Sequence, residues 1–265
     1  MLRKILIKVK MILSLFGFDI LKTMYSLRGT PSYIKDYLTF RKKTNKDIFP
    51  IKFFPILDDK YKQGGTAKGH YFHQDLLVAK KIYNANPTRH IDIGSRVDGF
   101  IAHLAVFRSV EIIDIREITS DIENIEFLQA NMIDMKKDLY ESCDSLSSLH
   151  ALEHFGLGRY GDPIDVEGHL KGFENMYNIL KGNGVFYFSV PIGAQRIEFN
   201  AHRVFSLNYL FEMFEGKFDI IDFSFVDDKG DLNENIILND ELIETNCACH
   251  YGCGIFELSK KSKND

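Results

Sequence analysis

From residue 70 onward, short aliphatic runs alternate with helix-patterned stretches, and no other feature restricts the chain so strongly. The runs His90–Ile93, Val110–Asp114, Ile125–Gln129, Ser145–Leu149 and Val185–Val190 read as strands separated by helical or connecting segments. Phe218–Val226 and Gly254–Leu258 follow with no clear helix between them, as an antiparallel edge pair would. The expected architecture is therefore α/β: a Rossmann-like, seven-stranded, mostly parallel sheet with an antiparallel last strand and helices on both faces. At 265 residues and 45% hydrophobic content the chain can bury such a core as one domain.

The first 65 residues look different. Lys4, Lys8 and Lys10 interleave with Ile5, Ile7, Val9, Met11, Ile12, Leu13, Leu15 and Phe16, a basic amphipathic helix. Gly29–Ser32, with its Pro31, interrupts the pattern, Tyr33–Lys43 suggests a short helix, and Phe49–Gly65 carries Pro50, Pro55 and two adjacent glycines and is expected to be irregular. At His70 the run YFHQDLLVAKKIY sets Phe72, Leu76, Val78, Ala79 and Ile82 at mostly helical spacing. We expect a basic N-terminal helical extension or arm over 1–65 and the main domain over 66–265.

Net charge is −4, but residues 1–43 hold ten Lys or Arg against two Asp, which leaves the remainder at −12. A basic arm without an aromatic stacking platform does not describe a nucleic-acid channel, so no nucleic-acid partner is expected. Two placements suit the first helix: packed on its own domain or a second subunit, or lying on an anionic membrane surface as a peripheral contact. The apolar run Met11–Ile20 contains Asp19 and falls short of the roughly 20 residues a span requires. Four cysteines, one isolated and three near the end, make no disulfide framework and favour a reducing cytoplasm.

His90–Phe100, HIDIGSRVDGF, is the strongest local signal: a strand, a tight turn at Gly94 and Ser95, then Gly99 and an apolar helical segment, Phe100–Phe107. Asp92, Asp114, Asn131 and His150 fall at strand carboxyl ends, where open parallel sheets bind ligands. Backbone amides of the Gly94–Gly99 turn suit a carboxylate. Asp114 suits two ribose hydroxyls, and Asn131 or its neighbouring backbone suits an adenine.

These residues resemble the class I S-adenosylmethionine-dependent methyltransferases, and among them a bacterial family with a methyltransferase-like domain of uncharacterised activity. The resemblance spans roughly Tyr71 to Leu258. DIGSRVDGF takes the glycine-loop position, EIIDIR the ribose-acid position, FLQANMID the adenine side, SSLHALEHFG the fourth strand, and ILKGNGVFYFSVP the helix, glycine turn and fifth strand. It implies S-adenosyl-L-methionine as cofactor, held by Asp92, Gly94, Ser95, Arg96, Gly99, Asp114, Asn131, Met132 and His150. It further implies methyl transfer to a hydroxyl of a sugar or other small acceptor, since similar bacterial proteins accompany surface-polysaccharide synthesis. The sequence departs from the family pattern at Arg96, where glycine is usual, at the late Gly99, and between Asp114 and Ile125, where a full helix has little room. Those departures motivate the alternative of a non-catalytic cofactor-binding or scaffold protein of the same fold.

HALEH, His150–His154, has the H-x-x-E-H spacing of a zinc hydrolase, but such a site needs a helix and this one begins as a strand ends. Beside a methyl donor its residues suit proton removal: His154 first as base, His150 second, with Glu153 orienting. Gly156–Gly168 follows at once; Arg159, Tyr160 and Asp162 make it either a substrate loop or a solvated connection. His202 and Arg203, after the fifth strand, are further acceptor-side candidates, Arg203 suiting a carboxylate or phosphate. Cys247, Cys249, His250 and Cys253 lack paired C-x-x-C spacing and read as buried thiols, so no metal is expected.

Overall fold

The computed structural model describes residues 2–43, 49–119, 121–135 and 137–262, with side chains from residue 9 onward. The chain divides into two compact units, Met1–Thr66 and Ala67–Asp265.

In the first unit, α1 (Leu2–Leu15) is followed by a turn at Gly17 and by α2 (Ile20–Lys43). Asp19 opens α2 by accepting the Lys22 N–H at 2.9 Å, an N-terminal cap. Sequence suggests a break at Gly29–Ser32, yet α2 runs through it: Pro31 removes only one ladder bond. Gly29 is buried because the backbone of Leu57 lies against it, so close that a Cβ there would meet Leu57 O at 1.8 Å.

The second unit is an eight-stranded sheet with helices on both faces. Its elements in order are α3 (His70–Ala85), β1 (His90–Ile93), α4 (Ala102–Ala105), β2 (Val110–Asp114), β3 (Ile125–Gln129) and β4 (Cys143–Leu149). There follow α5 (Gly168–Ile179), β5 (Leu180–Ile192), β6 (Arg196–Glu198), β7 (His202–Val204), α6 (Leu207–Phe214), β8 (Phe218–Val226), β9 (Leu232–Asn233), α7 (Asp240–Glu244) and β10 (Gly252–Lys260). Strand order is β3-β2-β1-β4-β5-β10-β8-β9. The first five strands are parallel, and β10 pairs antiparallel to both β5 and β8.

This is the expected Rossmann-like sheet with two differences. The expected antiparallel pair is present, with β10 between β5 and β8, and the short β9 is added at the edge as an eighth strand. The β6–β7 hairpin stands apart as a two-stranded ribbon, too short and polar to announce itself in sequence.

Two apolar layers fix the sheet. On one face α3 and the α4 segment pack Val78, Ile82, Phe100, Ile101 and Leu104 against Val110, Ile112 and Ile255. On the other, α5 and α6 pack Phe173, Met176, Leu210 and Phe214 against Phe186, Phe188 and Phe256. The helix expected over Phe100–Phe107 is reduced to one π-helical turn, Val97–Ile101, and the single turn of α4. Among the described residues no helix forms between β2 and β3, where residues 115–124 are too few for a full crossover helix, and β3 is left half-exposed at its edge.

Candidate active site

Parallel strands place their carboxyl ends on one side of the sheet, and a cavity of about 170 Å³ opens there. Its wall includes Gly94 after β1, Asp114 ending β2, Asn131 and Met132 after β3, and His150 after β4, brought together from separate sequence segments. Tyr71, Arg96, Arg116, His154, Tyr160 and Asp162 complete the polar lining, with Ile93, Ile113 and Phe155 among the apolar part.

Gly94 holds φ at 69°, a left-handed conformation that favours glycine, and a Cβ there would come within 3.0 Å of the Ala151 Cβ. The bare backbone thus lets the cavity wall and the β4 end approach each other. Asp92, Ser95 and Gly99, also expected at the cofactor, do not line the cavity. Asp92 is fully buried and accepts from the Ser95 and Ser147 hydroxyls and the Ser95 N–H, tying the turn to β4. Burial pushes its carboxyl up to about 6, against the opposing pull of those donors. Ser95 Oγ in turn accepts the Leu149 N–H at 3.1 Å. Gly99 faces α3, where a Cβ would meet Asp75 Oδ2 at 2.7 Å; its lateness in the motif serves helix packing.

Arg96 lies along the rim. Its guanidinium sits 5.0 Å from the Tyr71 ring centroid and pairs with Asp98 at 3.1 Å. Asp114 is held by a neighbour: Arg116 donates to its carboxylate through its backbone N–H, Nε and Nη2 at 2.8, 3.1 and 2.8 Å. The same guanidinium lies 4.4 Å from the Tyr160 ring centroid, so Arg116 and Tyr160 together roof the ribose-acid end of the cavity. Asn131 turns its amide oxygen to the Ile133 N–H at 3.0 Å, and Met132 is buried.

HALEH does not form one helical face. His150 has φ of 54°, a strained position for a residue with a side chain, and Leu152–His154 is a 3₁₀ turn. His150 Nδ1 donates to Glu153 Oε1 at 2.6 Å, while its Nε2 lies 3.2 Å from His70 Nδ1. His154 Nδ1 donates to the Ala201 carbonyl at 2.7 Å, which leaves the Nε2 lone pair free, 3.8 Å from Glu153 Oε1. Burial holds His154 below the usual histidine range. His150 lies well above it: burial opposes the charge, and the neighbouring Cys253 and Glu153 outweigh burial. The two histidines therefore differ in kind, and His154 is the neutral one at pH 7.

The loop from Gly156 to Gly168 folds around Asp162, whose carboxylate accepts the N–H groups of Gly156, Gly158 and Tyr160 at 2.8, 3.2 and 3.2 Å. Asp162 thus shapes the loop, and Tyr160 faces the cavity. Arg159 donates to the Ala201 carbonyl at 2.9 Å. Arg203 is buried and donates to the Phe155 and Glu153 carbonyls, a brace beneath HALEH. His202 lies outside the cavity lining, its ring 5.0 Å from that of Tyr251. Sequence spacing misses His70, whose ring stacks on His150, and Tyr251, whose ring packs on His70; they come together only because α3 and the approach to β10 meet at this end of the sheet.

An open sheet of this order, with a cavity over the ends of β1, β2 and β4, defines the class I methyltransferase-like fold. Solved structures show the same. N-methyltransferase NodS from Bradyrhizobium japonicum is 10% identical over 74% of this chain and 100% of its own, at a TM-score of 0.50; the [4+2]-cyclase SpnF is 11% identical over 71% and 81%, at 0.51. NodS in complex with S-adenosyl-L-homocysteine gives 12% identity over 73% and 89%, at 0.49. A comparison with curated proteins yields no match. Residues 91–248, more than half of the chain, match the family described as "Caenorhabditis protein of unknown function, DUF268", and the chain belongs to that family. The family found is thus described from Caenorhabditis, where the sequence resemblance pointed to a bacterial one.

Proposed function

We propose that this protein is an S-adenosylmethionine-dependent methyltransferase acting on a hydroxyl of a sugar or other small acceptor. The observation that carries the proposal is the convergence of Gly94, Asp114, Asn131 and His150 on one cavity at the strand ends, with the neutral His154 beside them. Gly94 would receive the amino-acid end of the cofactor, Asp114 its ribose, and the Asn131–Met132 segment its adenine. When bound, the sulfonium supplies an electrophilic methyl carbon. The chain's part is to align an acceptor oxygen with that carbon, to keep water away behind the Tyr160 loop, and to take the hydroxyl proton on His154 Nε2 as the oxygen–carbon bond forms and the sulfur–carbon bond breaks. The glycan class of acceptor rests on the sequence resemblance.

The second reading, a fold-retaining protein that no longer transfers methyl groups, is favoured by the three-fold hold of Arg116 on Asp114, which competes with ribose. Calorimetry with S-adenosylmethionine and S-adenosylhomocysteine on the intact chain separates these. Binding at micromolar affinity is expected, tightening several-fold in Arg116→Ala; no heat with either ligand in either protein would sink the cofactor assignment. With an acceptor found by screening nucleotide sugars and glycan fragments, His154→Gln is expected to retain cofactor binding and lose at least a hundredfold in transfer rate.

We also propose that the N-terminal unit makes peripheral contact with anionic membranes. Leu15 and Phe16 are 76% and 75% exposed, beside exposed Met11, Ile12 and Phe18, in a stretch of strongly basic sequence. Among the described residues no helix is long and apolar enough to cross a membrane.

A further inference from the structure

Methyl transfer as proposed above leaves two groups beside the cavity without a task, His70 and Cys253. His70 begins α3, Cys253 is the second residue of β10, and His150 closes β4 between them. We propose that His70, His150 and Cys253 form a binding site for a thiophilic divalent metal ion of the zinc type, with its fourth coordination position open toward the cavity that His150 lines.

Geometry is the first support. One ring nitrogen from each of His70 and His150 and the Cys253 Sγ all lie within 4.8 Å of one another, and His70 Nδ1 and His150 Nε2 are 3.2 Å apart. A tetrahedral zinc about 2.0–2.1 Å from nitrogen and 2.3 Å from sulfur spaces its ligand atoms roughly 3.3–3.7 Å apart, so the cluster closes on an ion with shifts of about 1 Å. Two imidazoles and a thiol are a soft donor set, suited to zinc and unsuited to magnesium or calcium.

Glu153 is the second and independent support. By accepting the Nδ1 proton of His150 at 2.6 Å it orients the ring so that Nε2 faces His70, and an ion bound there would displace the Nε2 proton. A carboxylate behind a histidine in this way is the usual outer support of a metal-bound imidazole. Glu153 is 1% exposed, and its Oε2 has no hydrogen-bond partner among the described residues. This site is distinct from an H-x-x-E-H zinc site, because His154 turns to Ala201 and contributes nothing to it.

The test uses the full-length, tag-free chain, loaded with Zn²⁺ and dialysed against metal-free buffer, with metal measured by mass spectrometry. Stoichiometric zinc is expected in the wild type and in Cys249→Ser, with at least tenfold less in His70→Ala and Cys253→Ser. Loading with Co²⁺ adds a readout independent of activity: a thiolate-to-cobalt charge-transfer band is expected in the wild type and absent in Cys253→Ser. Circular dichroism establishes that each variant is folded, and calorimetry with S-adenosylhomocysteine on the same samples keeps failure of the metal site separate from failure of the cofactor site. Wild-type chain that is folded but keeps no zinc, or zinc retained unchanged in folded His70→Ala and Cys253→Ser, would overturn the proposal and reduce the His70–His150 contact to a hydrogen bond.

Discussion

His90 stands inside β1, fully buried, with Nδ1 2.8 Å from Ser145 Oγ and Nε2 3.0 Å from Ser147 Oγ. Burial pushes it down to about 3 from the usual 6.5, so the folded protein keeps it neutral while the unfolded chain takes up a proton near pH 6.5. Stability from this residue is complete above pH 6.5 and drains away as pH falls from 6.5 toward 3, on the order of a few kcal/mol in total. Urea unfolding at pH 7.5 and pH 5 should show a drop in stability in the wild type that His90→Gln largely removes; an equal drop in both proteins would refute the assignment. At the same scale the sequence shows its limits at two arginines. Arg96 stands out by its departure from a glycine pattern and rests at the rim, stacked on Tyr71. Arg116 draws no notice in sequence, yet it grips Asp114, because the turn after β2 brings its backbone and side chain back onto the carboxylate it follows by two residues.

The Gly156–Gly168 loop carries the prediction at the scale of an element. Gly156 has φ of 75°, and a Cβ there would meet the carbonyl oxygen of Asp165 at 2.0 Å, so the two ends of the loop close only over glycine. Gly156→Ala should cost about 1–3 kcal/mol locally through strain and contact with rigid backbone. Limited proteolysis is expected to cut the variant within residues 156–168 several times faster than the wild type, while far-ultraviolet circular dichroism is unchanged; equal cleavage would mean the loop is already open. Strand positions were legible in the sequence because buried parallel strands are unbroken aliphatic runs. β1, β2, β3 and β8 coincide with those runs, and β4, β5 and β10 extend beyond them where neighbouring strands supply pairing partners. The β6–β7 hairpin and β9 gave no such signal, since three- and two-residue strands depend on their partners alone.

For the whole molecule the prediction concerns the N-terminal unit. Co-sedimentation of the full chain with vesicles rich in phosphatidylserine is expected, weakening several-fold between 50 and 500 mM salt and falling close to background in the double variant Phe16→Asp, Phe18→Asp. Vesicle binding unaffected by the double substitution would exclude this surface. Exposed aromatic side chains in a basic stretch motivate the test, and they are visible only in part from sequence: the amphipathic pattern appears in α1, whereas the continuation of α2 through Pro31 does not, because an interior proline ordinarily ends or kinks a helix.

By itself the sequence determined where the seven main strands would lie, that most would run parallel, and that Asp92, Asp114, Asn131 and His150 would stand at strand ends with Gly94 in the turn that follows, since local hydrophobic periodicity follows from residue type and spacing. Tertiary structure alone decided that β10 would lie within the sheet, that Asp92 and Gly99 would serve packing behind the cavity, that His154 would be neutral while His150 favours a charge, and that His70 and Cys253 would meet His150. Each of those outcomes depends on burial or on contact between segments far apart in the chain, and neither leaves a mark in local spacing.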